Sequence, residues 1–82
     1  MNAEQLRTVG EVRTLAASGK ARALREARNI GLRELARAIG ASPSALSRWE
    51  HGVNRPRADH ALKWALALGL PQTQAEHKER VA

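Results

Sequence analysis

The stretch that most constrains the fold is residues 32–51, where two short runs of helical periodicity are separated by only Gly40-Ala41-Ser42. Leu32, Leu35, Ala36 and Ile39 recur at the spacing of one helix face, and Leu46 and Trp49 do the same in the second run. Gly40 is the residue best able to adopt the left-handed conformation that follows a last helical turn. Ser42 is a good N-cap, because its hydroxyl accepts from a free first-turn amide, and Pro43 at the first helical position gives up no hydrogen bond. Two helices joined this closely meet at a steep angle, so a small residue is needed where they cross. Ala36 meets that need, and Leu35, Ile39, Leu46 and Trp49 become the positions that lock the pair together.

The flanking sequence reads the same way. Residues 3–17 place Leu6, Val9, Val12 or Arg13, and Leu15 or Ala16 on one helical face, with Gly10 as a weak interruption. Ser18-Gly19 breaks that segment, and Ser18 is expected to cap a second helix over about 20–28 with Ala21, Leu24 and Ala27 inward. Asn29-Ile30-Gly31 is a turn. The helix after Ser42 covers 43–51 and stops at Gly52, residues 53–56 form a loop, and a last helix over 58–68 buries Ala61, Leu62, Ala65 and Leu68 before Gly69 and Pro71. The apolar content is 43%, mostly Ala and Leu, with two Trp and no Phe or Tyr, which favours helices over strands. The expected architecture is therefore all-α, a compact bundle of about five short helices. It divides into an N-terminal helix (1–19), a central unit (20–70) and a flexible polar tail (71–82), with no room for a separate catalytic domain.

Charge narrows the partner. The net charge is +6, and residues 1–19 and 64–82 are each neutral, so the whole excess lies between Lys20 and Lys63. There Lys20, Arg22, Arg25, Arg28, Arg33, Arg37, Arg48, Arg55, Arg57 and Lys63 face only Glu26, Glu34, Glu50 and Asp59. Concentration of the charge in one segment points to a polyanion. Arg pairs bidentately with guanine O6 and N7, so Arg48, on a helix that begins with small residues, is the best candidate for reading a base. Ser44 and Ser47 can donate or accept but discriminate less, and Pro43 can touch a thymine methyl or serve only to start the helix.

The run Leu24-Arg25-Glu26-Ala27-Arg28, then Arg33-Glu34-Leu35-Ala36, then residues 40–52 ending Ser47-Arg48-Trp49-Glu50-His51-Gly52, then Arg55-Pro56, resembles the Cro/CI-type (XRE-like) helix-turn-helix domains of bacteria and phages. The likeness covers about residues 20–70. It implies a lambda-repressor-like fold in which the second helix of the motif enters the major groove of double-stranded DNA. By position, it implies that Pro43, Ser44, Ser47 and Arg48 face bases and that His51, Arg55 and Arg57 touch phosphates, with Leu46 and Trp49 as core and Glu50 supporting the fold. The family often begins the preceding helix with Ser or Thr followed by a phosphate-binding Gln. Here Gly31-Leu32 stands in that place, so Arg33 or the free amides of the helix start take over.

Other chemistries are not expected. With no cysteine there is no disulfide framework or thiolate nucleophile, and the cytoplasm of a bacterial or phage-infected cell is the default compartment. The longest apolar run, residues 64–70, is far short of the ~20 residues of a membrane span, and the polar start lacks the apolar core of a signal peptide. His51, His60 and His77 lack ligand spacing for a metal, and Ser42, Ser44 and Ser47 lack a nucleophile setting, so neither catalytic residues nor a metal, cofactor or small-molecule ligand is expected. Trp49 and Trp64 read as core, and Arg7 and Arg13 as a solvated face with Glu4 and Glu11.

The resulting expectation is a sequence-specific transcription regulator, a Cro-like repressor of a phage or mobile element. It is expected to bind as a homodimer that forms on DNA if not before, with Trp64, Leu66 and Leu70 of the last helix as the main contact and Leu6, Val9, Val12 and Leu15 of the N-terminal helix as the other candidate surface. The rival is an antitoxin-like module whose main task is to neutralise a protein partner.

Overall fold

The computed structural model describes residues 1–70, and the polar tail expected at 71–82 lies outside them. Among the described residues five helices follow one another: α1 (Ala3–Ala17), α2 (Lys20–Ala27), α3 (Leu32–Ile39), α4 (Pro43–Glu50) and α5 (Ala58–Leu68). Their starts are set by local hydrogen bonding. At α1, Asn2 Oδ1 accepts from the Gln5 amide at 2.8 Å while Gln5 Oε1 accepts from the Asn2 amide at 3.0 Å, a reciprocal capping box. At α4 the Ser42 hydroxyl accepts from the Ala45 amide at 3.1 Å with Pro43 next in line. Ser18 does not cap α2. Its hydroxyl donates back to the Leu15 carbonyl, and the N-cap is Gly19 at φ +83°, because α1 runs on far enough to claim Ser18 for its own end.

Helices α2 to α5 end alike. A left-handed residue (Asn29, Gly40, Gly52, Gly69) is followed by one whose amide reaches five residues back, at 2.9 Å for Ala41 to Ala36 and 3.0 Å for Val53 to Arg48. Gly40 lets α3 turn into α4 within three residues. Gly52 has a second constraint, since a Cβ there would lie 3.2 Å from the Ala17 carbonyl oxygen. The end of α4 is thus pressed against the end of α1.

The core collects one face from each helix: Val9, Val12 and Ala16 of α1, Ala21 of α2, Leu35, Ala36 and Ile39 of α3, Leu46 and Trp49 of α4, and Ala61, Trp64, Ala65 and Leu68 of α5. All four apolar positions expected to lock α3 to α4 are in it, with Ala36 between them. Helix α1 packs along α5 and touches α2 and α4. The Arg13 Nε, read from the sequence as part of a solvated face, donates to the Pro56 carbonyl at 3.0 Å, and Pro56 is itself fully buried. That contact fastens the loop after α4 to α1.

Several inward assignments change. Leu6 is 61% exposed, and Thr8 is buried in its place, its hydroxyl donating to the Glu4 carbonyl. On α2, Ala27 is exposed and Arg25 buried, and on α5 Leu62 is only half-buried against the core. Trp64 is wholly enclosed by its own chain, 6.2 Å from the Trp49 ring, so it is no part of a surface offered to a second protomer.

Candidate nucleic-acid interface

The exposed side of α4 is set by the face it buries. With Leu46, Trp49 and Glu50 turned inward, Ser44, Ser47, Arg48 and His51 recur at the three- and four-residue spacing of a single outward stripe. Pro43, Ser44 and Arg48 are exposed and Ser47 is half-buried. Arg48 forms no ion pair with any described residue, so its planar fork is available to a ligand.

The helix is held in place by a buried ion pair. Arg25 Nε donates to Glu50 Oε2 at 2.7 Å and its Nη2 to Oε1 at 3.0 Å, while Nη1 reaches the Ile30 carbonyl at 2.9 Å. The two side chains are 10% and 2% exposed. Hydrogen bonding to Glu50 holds the Arg25 guanidinium above its ordinary value, outweighing the opposite pull of burial. Arg25 therefore drops out of the set of surface cations counted from the sequence. Glu50 supports the fold as the resemblance implied, with Arg25 as its partner. The pair joins α2 to the last turn of α4 with planar, two-point geometry, which fixes rotation as well as distance.

The remaining cations surround the stripe in different ways. Arg33 near the start of α3 and Arg55 in the loop after α4 are exposed and make no ion pair with a described residue. Arg57, also exposed, lies 3.8 Å from Asp59. Partial dehydration pushes the Asp59 carboxyl up, but the His60 backbone amide and the His60 and Arg57 charges bring it below the usual carboxylate value. At the start of α3, Glu34 Oε1 accepts from the Gly31 amide at 2.8 Å. A carboxylate thus stands at the helix start whose amides were expected to meet a phosphate.

His51, at the end of α4, is the most engaged of the expected phosphate ligands. Its Nδ1 is 2.7 Å from the Ser47 carbonyl and its Nε2 is 3.4 Å from Nη1 of Arg22 on α2. Neither Arg22 nor the Arg25–Glu50 pair is visible as a site in the sequence, because each links positions 25 or more residues apart. Among the described residues no helix is long and apolar enough to cross a membrane, and no group of His, Asp and Glu could hold a metal ion.

Two short helices locked at a glycine turn, the second presenting a polar stripe beside unpaired arginines, define a helix-turn-helix DNA-binding domain. The helix-turn-helix family model matches residues 22–71, and the chain belongs to that family, in its Cro/CI-type branch. It is a double-stranded-DNA-binding domain of the transcription-regulator type, and the family is a regulatory rather than an enzymatic one. No curated protein and no solved structure matches the chain. Helix α1 lies before the matched region yet carries three residues of the core.

Proposed function

We propose that the protein is a sequence-specific regulator that inserts α4 into the major groove and acts as a Cro-like repressor of a phage or mobile element. Arg48 reads a base pair, with Ser44, Ser47 and Pro43 beside it. Arg33, Arg55 and Arg57 hold the flanking phosphates. The observation that carries this reading is the unpaired, exposed Arg48 on the outward stripe of a helix whose other face is locked into the core. Phosphate contacts position a protein on DNA, and base contacts specify the site.

A single eight-residue helix touches too few base pairs to mark one operator among a genome's competing sites. Two protomers on half-sites about 34 Å apart supply the missing information. With Trp64 in the core, the surface left for that contact includes Leu66, 65% exposed on α5. Selection of bound duplexes from a random pool, followed by footprinting, tests the proposal. It predicts an enriched motif with two-fold symmetry and two protomers per duplex at saturation, whereas a pool that stays random, or a single half-site filled by one protein, contradicts it.

A further inference from the structure

The resemblance assigned a phosphate contact to His51, but the hydrogen bonds around the ring leave it no proton for one. A carbonyl oxygen only accepts, so the 2.7 Å contact with Ser47 places the ring proton on Nδ1, and in the neutral ring Nε2 is then an acceptor. It is already filled by the Arg22 Nη1 proton at 3.4 Å. Arg22 is held on its other side as well, its Nε donating to Glu26 Oε2 at 3.3 Å one turn along α2. With 48% of its side chain exposed, it keeps unengaged N–H groups at the surface beside the end of the α4 stripe.

We infer that Arg22, held between His51 and Glu26, binds a phosphodiester of the DNA strand flanking the groove that α4 enters, and that His51 is a positioning residue for it. This rests on the DNA-binding reading above. The end of α4 meets the rim of the groove when its stripe faces the bases, and a guanidinium fixed there receives a phosphate oxygen on its free edge. Glu26 acts in two opposed ways, orienting Arg22 while placing a negative charge beside the incoming anion. Because Arg22 and His51 belong to different helices, the site exists only when α2 and α4 are docked by Arg25 and Glu50.

The test measures affinity for a random-sequence duplex against salt concentration, with the intact protein and its variants. Each phosphate neutralised contributes about 0.9 to the slope of log affinity on log salt. Arg22→Ala is expected to lower that slope by about 0.9 per protomer, and Arg22→Lys to restore it. Glu26→Gln should tighten binding to every sequence, an outcome that a purely structural role for the Arg22–Glu26 pair does not produce. His51→Ala should weaken binding while leaving the slope unchanged, and it should add little once Arg22 is Ala. A wild-type slope retained by Arg22→Ala, or lost in His51→Ala instead, overturns the inference and leaves the DNA-binding reading standing. Failure of the wild-type protein to bind duplex at all overturns both.

Discussion

Replacing Arg25 with Met is expected to be the most damaging single polar change in the molecule. It leaves Glu50, 4% exposed as a residue, charged and enclosed with neither of its bonds at 2.7 and 3.0 Å. Removing one partner of such a pair costs about 3–5 kcal/mol. The Ile30 carbonyl loses its donor too, for about 1 kcal/mol more. A domain of this size is stable by roughly 4–12 kcal/mol, so the variant should lose between about a third and all of its stability. Replacing both partners, as Arg25→Met with Glu50→Leu, removes the stranded charge, and such a swap is commonly neutral or stabilising by about 1–4 kcal/mol. Urea titration followed by the fluorescence of Trp49 and Trp64 reads both, since the two rings lie 6.2 Å apart in the core. At about 1 kcal/mol per molar for a small domain, the single variant should lose several molar in its midpoint. A loss below about 1 kcal/mol for Arg25→Met, or additive losses in the double variant, would refute the argument that burial makes this pair interdependent.

Three further outcomes follow from the same geometry. Gly52→Ala should cost about 1–2 kcal/mol for its left-handed backbone. It should cost more than Gly40→Ala, because a Cβ at Gly52 meets the Ala17 carbonyl at 3.2 Å and one at Gly40 meets nothing within 4 Å; thermal unfolding of the two variants gives the order. Leu46→Ala, at a fully buried position, should lose about 2–5 kcal/mol in the same urea assay. Leu66→Glu should change stability by less than about 0.5 kcal/mol, since the side chain is exposed, while halving the number of protomers on a two-site duplex.

The recurrence of Leu35, Ala36, Ile39, Leu46 and Trp49 made the helix-turn-helix legible, because a periodic face carries its own evidence of which side is inward. Helix ends were legible where a cap residue had one role, as at Ser42 and Gly40. They failed at Ser18, which can cap the helix after it or close the one before. Periodicity alone does not show where neighbouring helices stop, and so Leu6 was placed inward although it lies exposed on the first turns of α1. Nor does it distinguish an apolar surface covered by the chain itself from one left for a partner, which is why Trp64 reads both as core, where it lies, and as part of a contact with a second protomer, where it does not. The site was half legible. Arg48 follows from its place on α4, but the partners of His51 and Glu50 come from α2, and no local pattern announces a contact between residues so far apart in sequence.

Whether α4 reads bases through Arg48 is decided by comparing the affinity of Arg48→Ala for the selected operator with its affinity for random duplex. A base-reading Arg48 gives a loss of about 1–3 kcal/mol on the operator, relaxed preference at one base pair, and nearly unchanged affinity for random DNA. Equal losses on both would place Arg48 among the phosphate ligands and contradict base reading.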